Sequence, residues 1–337
     1  MNTNITLRIA GVLMMIAGLV SCSGDELTNE DLYQDPSKFT ISNYVKSNPE
    51  FSQLNDALEY TGLMGQTDAQ AGLKIFLPNN LALNLFLAEN GFASIEDVPV
   101  DYMRQVLLNH VIVTDLDLTS AAANSELFVE TKATQLFNSE NHLTAIVKTI
   151  DGVPTVNGVS ISNETLTFIN GRATEINQII EPSTLFSIVA LSDQFSALKN
   201  LVELSGDFTE IRDICDQKFT VTNQAPFTLF VSEDPTLDLV LNGNPDGSIS
   251  AGQRFSDFIN AHLSTEGSFY ENMLQDGQTV RTRTRVATAG RDSDGNATLT
   301  TTGGFFPNVV NILNDDNAII QTSNGTIQRV AGSLAAQ

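Results

Sequence analysis

Two of the chain's three histidines, His110 and His262, close similar stretches, "LLNH" and "FINAH". An imidazole can hold a metal, move a proton, or finish a helix by bonding its backbone. The third, His142, lies in "NHLTAIVKTI", an alternating run that predicts a strand far from the other two, so no metal cluster is expected. His110 and His262 are therefore read as structural rings. A different chemistry is written in "TVRTRTRVATAG", where Arg281, Arg283 and Arg285 alternate. On a strand this spacing places all three on one face. Guanidinium forks grip carboxylate or sulfate through paired hydrogen bonds, which makes these arginines the candidate ligand- or partner-binding residues. The same charges would also guard an edge strand against unwanted pairing. The stretch from Asn242 to Gln253 spaces Asn242, Asn244, Asp246 and Gly247 like a calcium loop. It offers one carboxylate and lacks acids at both ends, so a polar surface turn is the expectation and no metal is assigned. "RDSDGNAT" reads as a hairpin turn centred on Asp294-Gly295. No G-x-S-x-G elbow, H-E-x-x-H, glycine-rich phosphate loop or C-x-x-C occurs. No catalytic residue and no cofactor is predicted, and the chain does not read as an enzyme.

The elements that would carry these residues follow from local pattern. Asn48 and Pro49 supply a cap and a first helical position, Phe51, Leu54 and Leu58 fall at helical spacing, and Gly62 ends the run. "LKIFLPNN" predicts a short buried strand stopped by Pro78. "LALNLFLAENG" is a helix ending at Gly91, and a third helix brings Tyr102, Val106 and His110 onto one stripe. Short alternating stretches come next, with Asn157-Gly158 marking a hairpin, and "LTFINGRATEINQIIEP" closes the segment.

The order then begins again. Phe195 answers Phe51 at an offset of 144, Phe230 answers Phe76 at 154, His262 answers His110 at 152, and Asn324-Gly325 answers Asn170-Gly171 at 154. Four landmarks in one order predict two copies of a domain, and the four Asn and Gly residues are read, like the histidines, as structural. The combination of "FSQLNDALEYTGL", "FLPNN", His110-Val111 and the closing Asn170-to-Ile180 strand resembles the fasciclin domain. The resemblance spans residues 38–183 and, more loosely, 184–337, where Ser232 replaces Pro78 and "NGNPDGSIS" is inserted. It implies an α+β fold of two tandem fasciclin-like domains, each a β-wedge with several packed helices. In animal members a tyrosine-histidine pair is associated with integrin binding. Asn109 and Ala261 stand at the tyrosine position, so that activity is not carried over.

The front of the chain has its own pattern. Arg8 precedes an apolar run, Ile9 to Val20, too short to span a bilayer, and the run stops at Leu19-Val20-Ser21-Cys22. This resembles the lipobox of bacterial lipoproteins, in which the cysteine sulfur is acylated after cleavage. Residues 1–21 are then a signal peptide, Cys22 the lipidation site, and 22–37 an acidic tether. Ser23 and the acidic pair Asp25-Glu26 resemble the surface-export pattern of Bacteroidota lipoproteins. The implied location is the outer membrane, with the chain anchored by lipid and exposed at the surface. Loss of Arg8 takes the formal charge of −23 one unit lower. Such acidity repels nucleic acid and anionic headgroups, leaving the membrane anchor and a protein or glycan partner at the cell surface. Cys215 is then the one remaining thiol, and no intrachain disulfide is expected. With no tryptophan and 5 tyrosines, stacking on sugars has little support and protein contact is favoured. Surface adhesion or binding is the leading reading, and an accessory lipoprotein of an outer-membrane nutrient-uptake complex the alternative.

Overall fold

Residues 35–64, 66, 73–114, 117–123, 125–161, 164–199, 215–218, 226–232, 251–302, 308–315 and 317–334 are described by the computed structural model. The proposed leader, Cys22, and most of the Asn242–Gln253 loop lie outside them. The described residues from Pro36 onward belong to one compact unit built as two lobes.

The first lobe opens with α1 (Ile41–Ser47) and α2 (Ser52–Thr61), joined by a 3-10 turn at Pro49–Phe51 that the Asn48 side chain caps. Gly62 terminates α2 in the left-handed region at φ 70°, where a Cβ would be strained. Next come β1 (Leu73–Pro78), α3 (Asn80–Asn90), α4 (Val100–Asn109), β2 (Val111–Val113) and α5 (Leu118–Ala122). A long antiparallel pair, β3 (Leu127–Gln135) and β4 (Asn138–Ile150), leads to β5 (Val153–Val156), β6 (Val159–Ser160), β7 (Leu166–Phe168) and β8 (Gly171–Ile176). The strands lie in the order β6-β5-β4-β3-β2-β1-β8-β7, with β1 and β8 the parallel pair, one strand in from an edge. Asn157, at φ 48°, and Gly158, at φ 82°, turn the chain between β5 and β6; the two positive angles are those a type I′ hairpin requires.

The second lobe repeats this plan with α6 (Leu185–Leu191), β9 (Phe227–Ser232), α7 (Ala251–His262) and β10 (Leu263–Ser264). It continues through β11 (Thr279–Arg281), β12 (Val286–Arg291), β13 (Ala297–Thr301), β14 (Asn308–Ile312), β15 (Ile319–Thr322) and β16 (Gly325–Ala331). Its sheet runs β10-β9-β16-β14-β13-β12-β11, with β15 paired to β16. The parallel pair recurs in equivalent register: Ile75 faces Ala173 as Leu229 faces Ile327. Alternation along these strands feeds two cores in each lobe. Ile75 and Leu77 pack under the helices while Phe76 points into the β-side core; Leu229, Val231 and Phe230 divide the same way. A strand buried on both faces reads as a continuous apolar run, and "KIFLP" and "FTLFV" do. The architecture is α+β, with helices gathered against one side of each strand wedge.

The lobes meet on side chains rather than on a linker. Ile146 of β4 and Phe128 of β3 belong to the second lobe's helix-side core. Gln135, at the tip of β3, is 1% exposed. Its Nε2 donates toward Gln321 Oε1 (2.9 Å), Thr322 O (3.0 Å) and Gly325 O (2.8 Å), while its Oε1 accepts from Asn141. Lys148 reaches across to Asp193 at 2.5 Å and to the Leu191 carbonyl at 3.0 Å.

Candidate binding site

The histidine rings hold the same place in both lobes. At the end of α4 the His110 N–H turns to Leu107 O, which frees the Val106 carbonyl one residue earlier in the ladder. His110 Nδ1 donates to that carbonyl at 2.8 Å, and Nε2 accepts the Ile180 N–H at 3.0 Å. His262 repeats both bonds with Phe258 O (2.6 Å) and the Leu334 N–H (2.9 Å). Since a carbonyl only accepts and an N–H only donates, each ring is fixed as the neutral Nδ1–H tautomer. Burial lowers both rings from the ordinary imidazole value to about 4. Protonation would aim a second N–H at a backbone N–H that needs an acceptor. With both nitrogens committed, neither ring has a lone pair to give a metal.

The closing hairpins are sewn to the opening helices. Asn170 Oδ1 accepts the Ile41 N–H at 3.0 Å, and Asn324 Oδ1 accepts the Leu185 N–H at 3.0 Å. Beside them Ile169 N donates to Phe39 O, and Ser323 N to Ser183 O. Gly171 follows Asn170 at φ 150°. Gly325 sits so close to β9 that an added Cβ would lie 2.3 Å from Phe227 O. Cys215, free and buried, offers its carbonyl to Asn324 Nδ2. Burial, reinforced by Asp216, pushes its thiol up to about 12, which keeps it unreactive.

The arginines depart from the alternating-strand expectation. Only Arg281 lies on β11; Arg283 and Arg285 fall in the turn to β12, so the three do not share a strand face. The reason is Thr282, whose hydroxyl accepts the Arg285 N–H at 3.0 Å while its own N–H donates to Arg285 O, closing the turn. Arg283 turns back to α7: its Nε donates to Asn260 Oδ1 at 2.7 Å and its N–H to Leu263 O. Arg285 Nε is buried without a partner among the described residues. The "RDSDGNAT" stretch is a hairpin in which the Asp292 carboxylate accepts from the Asp294 and Asn296 N–H groups, and Gly295 has φ 87°. His142 stands on β4 with Nδ1 3.0 Å from Thr131 O.

Two features have no sequence forecast. One is the Gln135 bridge. The other is a cleft of about 320 Å3 walled by Ala82, Leu85 and Phe86 of α3, by Glu181 and Pro182, and by Lys218. Within it Lys218 Nζ lies 2.5 Å from Glu181 and 2.6 Å from Asn90 Oδ1. Burial and Glu181 together raise the Tyr102 phenol, which donates to that carboxylate. Among the described residues no group of three His, Cys, Asp or Glu side chains converges as a metal site would require.

Residues 49–182 match the family described as the fasciclin domain. Among solved structures the chain is similar to a FAS1 domain pair from the insect cell adhesion molecule fasciclin I. Identity is 18% and the TM-score 0.48, over 84% of this chain and 97% of that chain. A search of curated proteins finds no match. Fasciclin domains are commonly involved in cell adhesion. This chain carries a fasciclin domain over residues 49–182, followed by a second lobe with the same helix, histidine and parallel-strand plan.

Proposed function

We propose that the chain is an adhesion or binding protein held at the outer membrane by a lipid on Cys22, displaying its two lobes to a protein or glycan partner. The observation that carries this reading is the fasciclin domain at residues 49–182, a domain type commonly used for adhesion. The front of the chain supports the anchor: an apolar run too short to span, ended by Leu19-Val20-Ser21-Cys22. Several acyl chains hold far more firmly than one, at roughly 0.8 kcal/mol per buried methylene. A body locked at Gln135 presents surfaces from both lobes at a fixed spacing, so two weak contacts reinforce each other through effective concentration.

The test is a pull-down of the intact chain from native membranes, with mass spectrometry of its mature N-terminal peptide. Acylated Cys22, membrane release of Cys22→Ser, and one reproducible surface partner are expected. An unacylated start, or a chain that captures nothing, would end this reading.

A further inference from the structure

The outer face of β11–β14 is largely polar and is exposed at Thr279, Arg281, Thr288 and Val309. Thr279 faces Thr288, Thr288 faces Thr300 and Thr300 faces Val309, so one row crosses four strands. The opposite face of these strands is core, with Val280, Ala287, Leu299 and Val310. None of the three hydroxyls in the row is bonded among the described residues, and Thr279, Thr288 and Val309 are exposed. Successive strands set the hydroxyls ~4.8 Å apart. At one corner stands Arg281, exposed and without a bond or ion pair among the described residues, beside the turn that carries Arg283 and Arg285. No carboxylate shares the row or its flanking positions Val286, Thr298 and Asn311. In a chain of charge −23 such a surface is set apart.

We infer that this face binds a carboxylated polysaccharide, a polyuronate, running across the strands with its hydroxyls on the threonine row and a carboxylate in the Arg281 fork. The inference rests on the surface-binding reading above and names its partner. The row by itself offers little to a globular protein. The row spans three strand gaps and about 10 Å along the strands, an area on the order of 150 Å2. A stable protein partner needs about 800 Å2 per side. Neutral sugars are captured chiefly by aromatic stacking, and among the described residues no aromatic side chain is one of the exposed large hydrophobics. What remains is hydrogen bonding plus charge. A guanidinium matches a planar carboxylate through two parallel bonds. The methyls of Val309 and Val286 would meet the sugars' C–H faces.

The full chain, in detergent, is run through affinity gels containing polygalacturonate, neutral dextran, dextran sulfate or poly-glutamate. Retention by polygalacturonate alone, weakened by salt, is expected. Arg281→Glu should weaken it at least tenfold, Thr288→Glu by a similar factor, and Thr288→Val about threefold. Both positions are exposed, and an unchanged thermal midpoint would show that the fold is intact. Undiminished retention of Arg281→Glu overturns the site, as does equal or stronger retention on poly-glutamate or dextran sulfate. A chain that ignores every polysaccharide yet captures a partner from native membranes loses this site and keeps its surface-binding role. One that captures nothing in either experiment loses both.

Discussion

The two lobes share their latches and differ at their edges. In both, a buried imidazole ties the end of a helix to the closing segment, and an asparagine ties the closing hairpin to the opening helix. Around the latch the first lobe adds Asn109, whose Nδ2 donates to Ile180 O at 2.9 Å, where the second lobe has Ala261. The second lobe instead uses Ser232 in place of Pro78, and the serine hydroxyl bonds Gly332 O. In the first lobe β3 pairs beside β2; in the second, the Arg283 N–H reaches Leu263 O on β10. The lesson is that the centre of the fold is set by main-chain groups needing partners. The rims are free to vary, and there the second lobe carries its arginines and threonines while the first sends β3 and β4 against its neighbour.

That comparison can be broken, and the largest lever is acid. Both rings have folded-state values lowered to about 4 against 6.5 in the unfolded chain, so between those limits the unfolded state binds more protons. Stability from the rings is whole above pH 6.5 and is lost as pH falls toward 4, by about 3 kcal/mol for each. Denaturant unfolding at pH 7, 5.5 and 4 should show this loss, and His110→Gln and His262→Gln should each remove about half of it. If one variant leaves the slope intact, the latches are not equivalent. Next in size is Gly325→Ala, whose new Cβ would press on the Phe227 carbonyl. A loss of about 3 kcal/mol is expected, with the thermal midpoint as readout. Gln135→Leu removes the donor that Gln321 Oε1, Thr322 O and Gly325 O share and leaves Asn141 Nδ2 without its acceptor, and should cost about 2 kcal/mol. Calorimetry should then resolve separate lobe transitions; a single unchanged transition would mean the bridge does not couple them. The smallest effect belongs to Asp193→Asn, at the mostly exposed end of its contact with Lys148. A loss under about 1 kcal/mol is expected, diminishing at high salt.

Much of the fold was legible because its signals are local. Gly62 and Gly91 end helices at positive φ, and Asn157-Gly158 turns a hairpin, each from one or two residues that tolerate that backbone. The repeat was legible because the landmarks sit in the strands and helix ends that every copy needs. Arg281, Arg283 and Arg285 misled because alternation was read without the threonine between them, and the Thr282 hydroxyl reverses the chain. The Gln135 bridge carried no local signal: its cross-lobe acceptors lie 186 to 190 residues away. The threonine row was half visible in "TRTRVAT" and "ATLTT", but its alignment depends on strand register, which single stretches do not encode.

The stitching of each hairpin to its own first helix also bears on how the chain is born. Synthesis delivers residues from the front, yet Ile41 waits for Asn170 and His262 waits for Leu334. Each half must therefore remain unfinished until its final strand emerges, and a nascent second half cut short of Leu334 would lack the acceptor's mate at its last latch. Truncation is thus felt most where each closing segment meets its latch.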